Sequence, residues 1–260
     1  MIAHRGASAR APENTLSAVR AAVACGADAV EIDVRRSRDG EFVVLHDATL
    51  GRTTDVRRQR WNRSGPRVDE LTLNQLRRLD AGSWKGPSFV GERIPTLDEV
   101  LDLVASTPAR LLIEVKRPVG SDPRDLGDLA ALLDAAPVPH RRITVQSFDC
   151  RVAQDLRNRL PGITLAVLTR SVHGDLRAYS RWADQVSLHH KSLDRRTLDA
   201  VKGWGMHCVT WTVNSPVSMR RVLGLGVDGV ITDHPEAVLA LLNGRRSASE
   251  ALSAHELPQG

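Results

Sequence analysis

Gly26-Ala27-Asp28-Ala29-Val30-Glu31-Ile32-Asp33-Val34 is the stretch that decides the fold of this 260-residue chain. Glycine suits the left-handed position that stops a helix. The run behind it alternates apolar and acidic residues at the period of a strand. The same pattern returns two hundred residues later as Gly226-Val227-Asp228-Gly229-Val230-Ile231-Thr232-Asp233. A glycine-stopped helix feeding a strand is the junction an α/β chain uses repeatedly. Other strand-like runs lie at 2–4, 111–116, 143–146, 164–168, 185–188 and 207–213, so with 29–34 and 229–232 there are eight. Helical periodicity falls between most of them: from near Glu13, and over 97–104, 126–136, 149–160, 193–204, 217–225 and 235–242. Eight strands alternating with helices in a chain of this length favour a closed (β/α)8 TIM-type barrel over an open doubly wound sheet.

Two stretches depart from the alternation. Arg38-Asp39-Gly40-Glu41 is a turn signal, and 42–45 then reads as a short ninth strand running back beside the second. After it comes a long segment, 51–93, with one plausible helix at 72–79. A connection of that length is functional or has structure of its own. The expected organisation is a barrel over 1–243, with a small insertion at about 50–93 after the His46 strand, and a polar tail over 244–260.

Hydrophobic residues make up 42% and charged residues 26%, the balance of a folded globular chain rather than a disordered one. No run approaches the length of a membrane span. Met1-Ile2-Ala3-His4 opens without a basic segment leading into an apolar one, so a cytoplasmic protein is expected. The three cysteines are isolated and form no disulfide framework. The formal charge is +5, with 36 basic against 31 acidic residues. The surplus is local: residues 51–94 hold ten basic and five acidic side chains, and the remainder balances at 26 each. Nine aromatics offer few stacking platforms for single-stranded nucleic acid, so no nucleic-acid partner is expected. The basic insertion is expected to draw in an anionic substrate or to touch an anionic membrane peripherally.

On a strand Glu31 and Asp33 share one face while Val30, Ile32 and Val34 share the other. In a barrel the apolar face meets the helices and the carboxylates point inward, where unpaired charge is expensive. Leu112-Ile113-Glu114-Val115-Lys116 repeats the pattern and adds Glu114 and Lys116. Three inward carboxylates form an oxygen-only site suited to a hard divalent cation, Mg²⁺ or Ca²⁺. The alternative is a set of buried ion pairs with Arg5 and Lys116. His4 and His46 end strands at what would be the active-site face of the barrel, where imidazoles suit acid–base work. His234 and His189-His190 also follow strands and are weaker candidates. Metal, cations and two histidines together are equipment for attack on a phosphate ester.

These residues occur in stretches that resemble one family. His4-Arg5-Gly6 through Pro12-Glu13-Asn14-Thr15, then Glu31-Ile32-Asp33, then Val44-Leu45-His46-Asp47, resemble the opening motifs of the glycerophosphodiester phosphodiesterases. Ile94-Pro95-Thr96-Leu97, Ile113-Glu114-Val115-Lys116, Gln146-Ser147-Phe148, Trp211-Thr212-Val213-Asn214 and Gly226 through Pro235 follow in the family's order. The resemblance implies hydrolysis of a glycerophosphodiester to glycerol 3-phosphate and an alcohol. It implies a divalent cation on Glu31, Asp33 and Glu114, and acid–base catalysis by His4 and His46. Arg5 and Lys116 would contact phosphate, with Glu13 supporting Arg5. Trp211 would pack against glycerol, with Phe148 and Gln146 lining the site. Leu188-His189-His190-Lys191 matches no family motif and is expected to line the mouth. Two other functions stand beside this one: lysophospholipase D-like hydrolysis of lysophospholipids, and a module that binds anionic polymers or glycerophosphodiesters without catalysis.

Overall fold

The second strand carries Glu31 and Asp33 and pairs with the strands on both sides of it. In a computed structural model that describes residues 1–59, 64–116, 124–171 and 176–244, it runs over Ala29–Arg36 with its first six residues buried. Chain order is β1 (Ile2–Ala3), α1 (Leu16–Ala24), β2 (Ala29–Arg36), β3 (Phe42–Val44), α2 (Leu73–Leu76), α3 (Leu97–Ala105), β4 (Arg110–Val115), α4 (Arg124–Ala135), β5 (Ile143–Ser147), α5 (Cys150–Arg159), β6 (Thr164–Thr169), α6 (Leu176–Tyr179), β7 (Gln185–His189), α7 (Arg195–Gly203), β8 (His207–Trp211), α8 (Pro216–Leu225) and β9 (Gly229–Thr232). A last helix covers 235–244. Strands β1, β2, β4, β5, β6, β7, β8 and β9 pair in parallel, and β9 returns to β1, which closes the barrel. The expected (β/α)8 architecture is what the chain adopts.

β3 pairs antiparallel with the end of β2, Val34 opposite Val44, as the Asp39-Gly40 turn requires. Both glycines of the repeated junction are left-handed, Gly26 at φ +83° and Gly226 at +81°. Helices begin where a side chain meets the free backbone N–H groups. Thr15 caps α1, Thr96 and Glu99 form a capping box on α3, and Asp149, Asp194 and Ser215 cap α5, α7 and α8. Two elements differ from expectation. The helix expected over 72–79 is only the single turn α2, and α6 is a four-residue turn with no periodicity to reveal it. The polar tail, from 245 onward, lies outside the described residues.

The alternation of β2 sorts its side chains. Val30, Ile32 and Val34 join Val19, Ala22, Val100 and Leu101 in the layer between strands and helices. Inside the barrel, Leu112, Val209 and Ile231 are buried together, with Ile2 and Trp211 against them. Gly229 keeps that plug tight: a Cβ there would stand 2.9 Å from Val209 and 3.3 Å from Ile2. Glu114 is two residues beyond Leu112 on the same face, so the polar layer rests on an apolar floor. The long segment after β3 has its own small core of Val43, Leu45, Leu50, Val56, Val68, Leu76, Leu79, Ala81 and Ile94.

Candidate active site at the barrel mouth

β1 ends in a turn that aims three consecutive groups. Arg5 (φ +54°) and Gly6 (φ +80°) are both left-handed. Gly6 lies so close to α1 that a Cβ would meet the Ala18 backbone at 2.5 Å. The Arg5 amide donates to Glu31 Oε2 at 2.9 Å, and the Arg5 carbonyl accepts from Asn14 N at 3.0 Å. His4 therefore turns toward the end of β9, and the Arg5 side chain turns over β2.

Glu31, Asp33 and Glu114 are brought together. Each offers a carboxylate oxygen within 4.8 Å of the others, and they are 1%, 0% and 7% exposed. Lys116 bonds Glu114 and lies 3.1 Å from Asp33 Oδ1, without the alignment of a hydrogen bond. Arg5 Nε is 3.1 Å from Asp33 Oδ2, and Asn14 Nδ2 donates to the same oxygen at 2.8 Å. Burial, reinforced by the charge of Asp33, pushes the Glu31 carboxyl up to about 8. Burial also raises Glu114. Burial opposes Asp33 too, but Lys116 and Arg5 outweigh it and hold Asp33 at about 2. Two cations do not keep three buried carboxylates ionised. Asp33 and Glu114 do pair with Arg5 and Lys116, whereas Glu31 accepts from the Arg5 backbone N–H rather than from either cation, and Asp33 Oδ1 has no hydrogen-bond donor.

Each histidine has a carboxylate on Nδ1. His4 Nδ1 meets Asp233 Oδ1 at 2.5 Å, and His46 Nδ1 meets Asp47 Oδ1 at 2.7 Å. Asp233 also accepts from Ser8 Oγ at 3.0 Å and Asn214 Nδ2 at 2.6 Å. Burial works to raise Asp233, but the His4 hydrogen bond and its charge outweigh it and hold the carboxyl at about 2. Asp47 is depressed chiefly by its bond to His46. An ionised carboxylate only accepts, so Nδ1 carries the proton in both rings and Nε2 is left for chemistry. Burial lowers His4, yet Asp233 and Glu31 outweigh it and its pKa is raised. His46 is fixed on its backbone side too, where Arg35 donates twice to its carbonyl, at 2.9 and 2.7 Å.

The strands opposite supply the aromatic wall. Trp211 donates Nε1 to the Ser187 carbonyl at 2.9 Å and meets Phe148 edge-on at 5.7 Å. His189 packs on Trp211 at 5.1 Å, and the Arg170 guanidinium lies 5.5 Å from both the Phe148 and Trp211 rings. Gln146 pairs in register with Glu114 and is buried, its Oε1 without a donor. His189 thus lines the mouth beside Trp211, and His234 is exposed.

The family profile described as the glycerophosphoryl diester phosphodiesterase family matches residues 4–237. The chain belongs to that family. It is accordingly a phosphoric diester hydrolase by class. A curated protein of Bacillus subtilis is 38% identical over 247 residues, covering 92% of this chain and 96% of its own. A glycerophosphodiester phosphodiesterase of Caldanaerobacter subterraneus is 33% identical over 246 residues, covering 93% of this chain and 97% of its own. Among solved structures, an Oleispira antarctica phosphodiesterase in complex with the product sn-glycerol-3-phosphate superposes with a TM-score of 0.85 at 27% identity, over 93% of this chain and 96% of that one.

Sequence reasoning passed over Asp233, Asn214, Asn14 and Arg52, which the structure shows bonded to the candidate residues or to one another. Asp233 had a signal in barrel closure: β9 borders β1, and the His4 amide donates to the Thr232 carbonyl at 2.9 Å. The residue after Thr232 therefore stands beside His4. The basic insertion is less free than its count suggests. Arg52, Arg67 and Arg77 are ion-paired, and Lys85 and Arg93 donate to carbonyls. Arg60 and Arg63 lie outside the described residues. No described helix is long and apolar enough to cross a membrane.

Proposed function

We propose that this enzyme hydrolyses glycerophosphodiesters to glycerol 3-phosphate and an alcohol, with a divalent cation on Glu31, Asp33 and Glu114 and with His4 and His46 as the acid–base pair. The observation that carries the cation is the charge imbalance. Three buried carboxylate oxygens lie within 4.8 Å of one another, and burial together with the charges of Asp33 and Glu114 pushes Glu31 up to about 8. An all-oxygen donor set fits Mg²⁺ or Ca²⁺. Bound there, the ion would supply Lewis-acid stabilisation of charge on a phosphate oxygen.

The protein's own groups do the rest. Arg5 and Lys116 provide positive charge at the rim of the triad for the remaining phosphate oxygens. One histidine takes at Nε2 the proton of the hydroxyl whose oxygen bonds to phosphorus, either that of water or that of the substrate's own glycerol, in which case water then opens the cyclic phosphate. The other gives its Nε2 proton to the alkoxide that leaves as the phosphorus–oxygen bond breaks. Asp233 and Asp47 hold the two rings in the tautomer this requires, the role a buried carboxylate has behind a catalytic histidine. Trp211, Phe148 and Gln146 form the wall against the organic portion of the substrate. The Oleispira relative's product complex supports a small-molecule substrate of this kind.

Product analysis tests the reading. Incubation with sn-glycero-3-phosphodiesters and Mg²⁺ or Ca²⁺ should release glycerol 3-phosphate. His4→Ala and His46→Ala should each lower the rate at least ~10²-fold with little change in Tm. Full activity in either variant would remove that residue from the acid–base pair.

A further inference from the structure

Arg52 stands in the first turn of the insertion, where the backbone is firmly held. Leu50 N donates to the Pro66 carbonyl at 3.1 Å, Gly51 N to the Ser64 carbonyl at 2.8 Å, and Thr54 Oγ1 to the Leu50 carbonyl at 2.6 Å. From this base the guanidinium reaches two carboxylates at once. Nε donates to Asp47 Oδ2 at 2.6 Å and Nη2 to Asp47 Oδ1 at 3.0 Å. Nη1 donates to Glu13 Oε2 at 2.7 Å and Nη2 to Glu13 Oε1 at 2.7 Å. Each carboxylate is in turn engaged with the site. Asp47 Oδ1 holds His46 Nδ1 at 2.7 Å, and Glu13 Oε1 holds Arg5 Nη1 at 2.7 Å. The side chains form one line: His46, Asp47, Arg52, Glu13, Arg5, Asp33. It ties an acid–base histidine to a phosphate-side arginine through a residue of the insertion.

We infer that Arg52 is a positioning residue that sets His46 and Arg5 together, making the first turn of the insertion part of the catalytic apparatus. The inference rests on the roles proposed above for His46 and Arg5. Its physical content is geometric. A planar fork satisfies two carboxylates bidentately, and a lysine ammonium, a point donor, cannot reproduce both forks. Without Arg52, Asp47 and Glu13 face each other with no cation between them. They repel, Asp47 leaves the angle that fixes the His46 ring, and Glu13 is free to draw Arg5 away from Asp33. A small misplacement of catalytic groups costs far more rate than binding.

The test compares Arg52→Gln, Arg52→Lys and Arg52→Ala in the full-length enzyme with saturating divalent cation. Arg52→Gln should lower kcat by ~10–100-fold with a smaller change in KM. Arg52→Lys should recover only a minor part of the loss, and added guanidinium should partly restore Arg52→Ala but not His46→Ala. A kcat for Arg52→Gln within twofold of wild type, or an Arg52→Lys enzyme equal to wild type, would overturn the inference. The second readout needs no turnover. In ¹⁵N NMR of the His46 ring, wild type should show the Nδ1-protonated tautomer and Arg52→Gln a mixture. An unchanged tautomer also overturns the inference. If wild type releases no glycerol 3-phosphate while the tautomer responds to Arg52, the assigned reaction fails and the positioning role stands.

Discussion

Asp233→Asn isolates the contact between the two ends of the chain that close the barrel. The carboxylate accepts from His4 Nδ1 at 2.5 Å, Ser8 Oγ at 3.0 Å and Asn214 Nδ2 at 2.6 Å. Its pKa is held at about 2 instead of the ordinary 3.8. At ~1.36 kcal/mol per pH unit this corresponds to about 2 kcal/mol of folding stability. With a side chain 30% exposed, solvent screening brings the expectation to about 1–2 kcal/mol. The carboxyl is depressed on folding, so its contribution is present above pH 3.8 and lost only as the pH falls through about 2. His4 has the opposite sign. Its folded pKa is raised above 6.5, so its contribution is complete below 6.5 and disappears as the pH rises through the raised value. In Asp233→Asn the main group raising His4 is gone, and burial and Arg5 act alone against Glu31. Urea unfolding in chelator should therefore show the variant about 1–2 kcal/mol less stable at pH 5.5, with the gap narrowing by pH 9. Turnover should fall ~10²-fold, because the His4 tautomer is no longer held. A gap constant from pH 5.5 to 9, with kcat within twofold of wild type, would refute the reasoning.

Glu31, raised to about 8 from 4.5, binds a proton on folding across the pH range between. Metal-free protein should thus lose stability as the pH rises from 5 to 8. Added divalent cation should restore it, and Glu31→Gln should flatten the profile, as followed by Tm. Gly6→Ala puts a Cβ 2.5 Å from the Ala18 backbone at a left-handed φ of +80°. It should cost at least ~3 kcal/mol in chemical denaturation and lower activity, since His4 and Arg5 share that turn. Asn14, at φ +59°, bonds Asp33 from both ends of its amide, Nδ2 to Oδ2 at 2.8 Å and Oδ1 from the Asp33 amide at 3.1 Å. Asn14→Ala should destabilise by about 2–3 kcal/mol, and Asn14→Gly by less, because glycine keeps the backbone conformation and loses only the bonds.

The eight-strand alternation and the faces of β2 and β4 were legible because a strand's period of two sorts side chains without long-range information. Val30 and Ile32 against Glu31 and Asp33 could be assigned to opposite faces from their order alone. The His4–Asp233 contact spans 229 positions and has no local pattern. It follows only once closure is accepted and β9 is placed against β1. Arg52 was harder still, one of nine arginines in a basic segment where spacing singles out none. Its role depends on how the insertion's small core seats the first turn against the barrel. The turn α2 was legible in place but not in length, and the one-turn helix α6 was illegible for a simpler reason: four residues do not complete a helical period that can be read.

Release of glycerol 3-phosphate by chelator-stripped enzyme, before and after addition of Mg²⁺ or Ca²⁺, tests the central claim most directly. The three buried carboxylates of Glu31, Asp33 and Glu114 predict that stripped protein is inactive, that a divalent cation restores turnover, and that Glu114→Gln cannot be restored at the same concentration. Undiminished release in chelator, or no release with any divalent cation, would contradict the account.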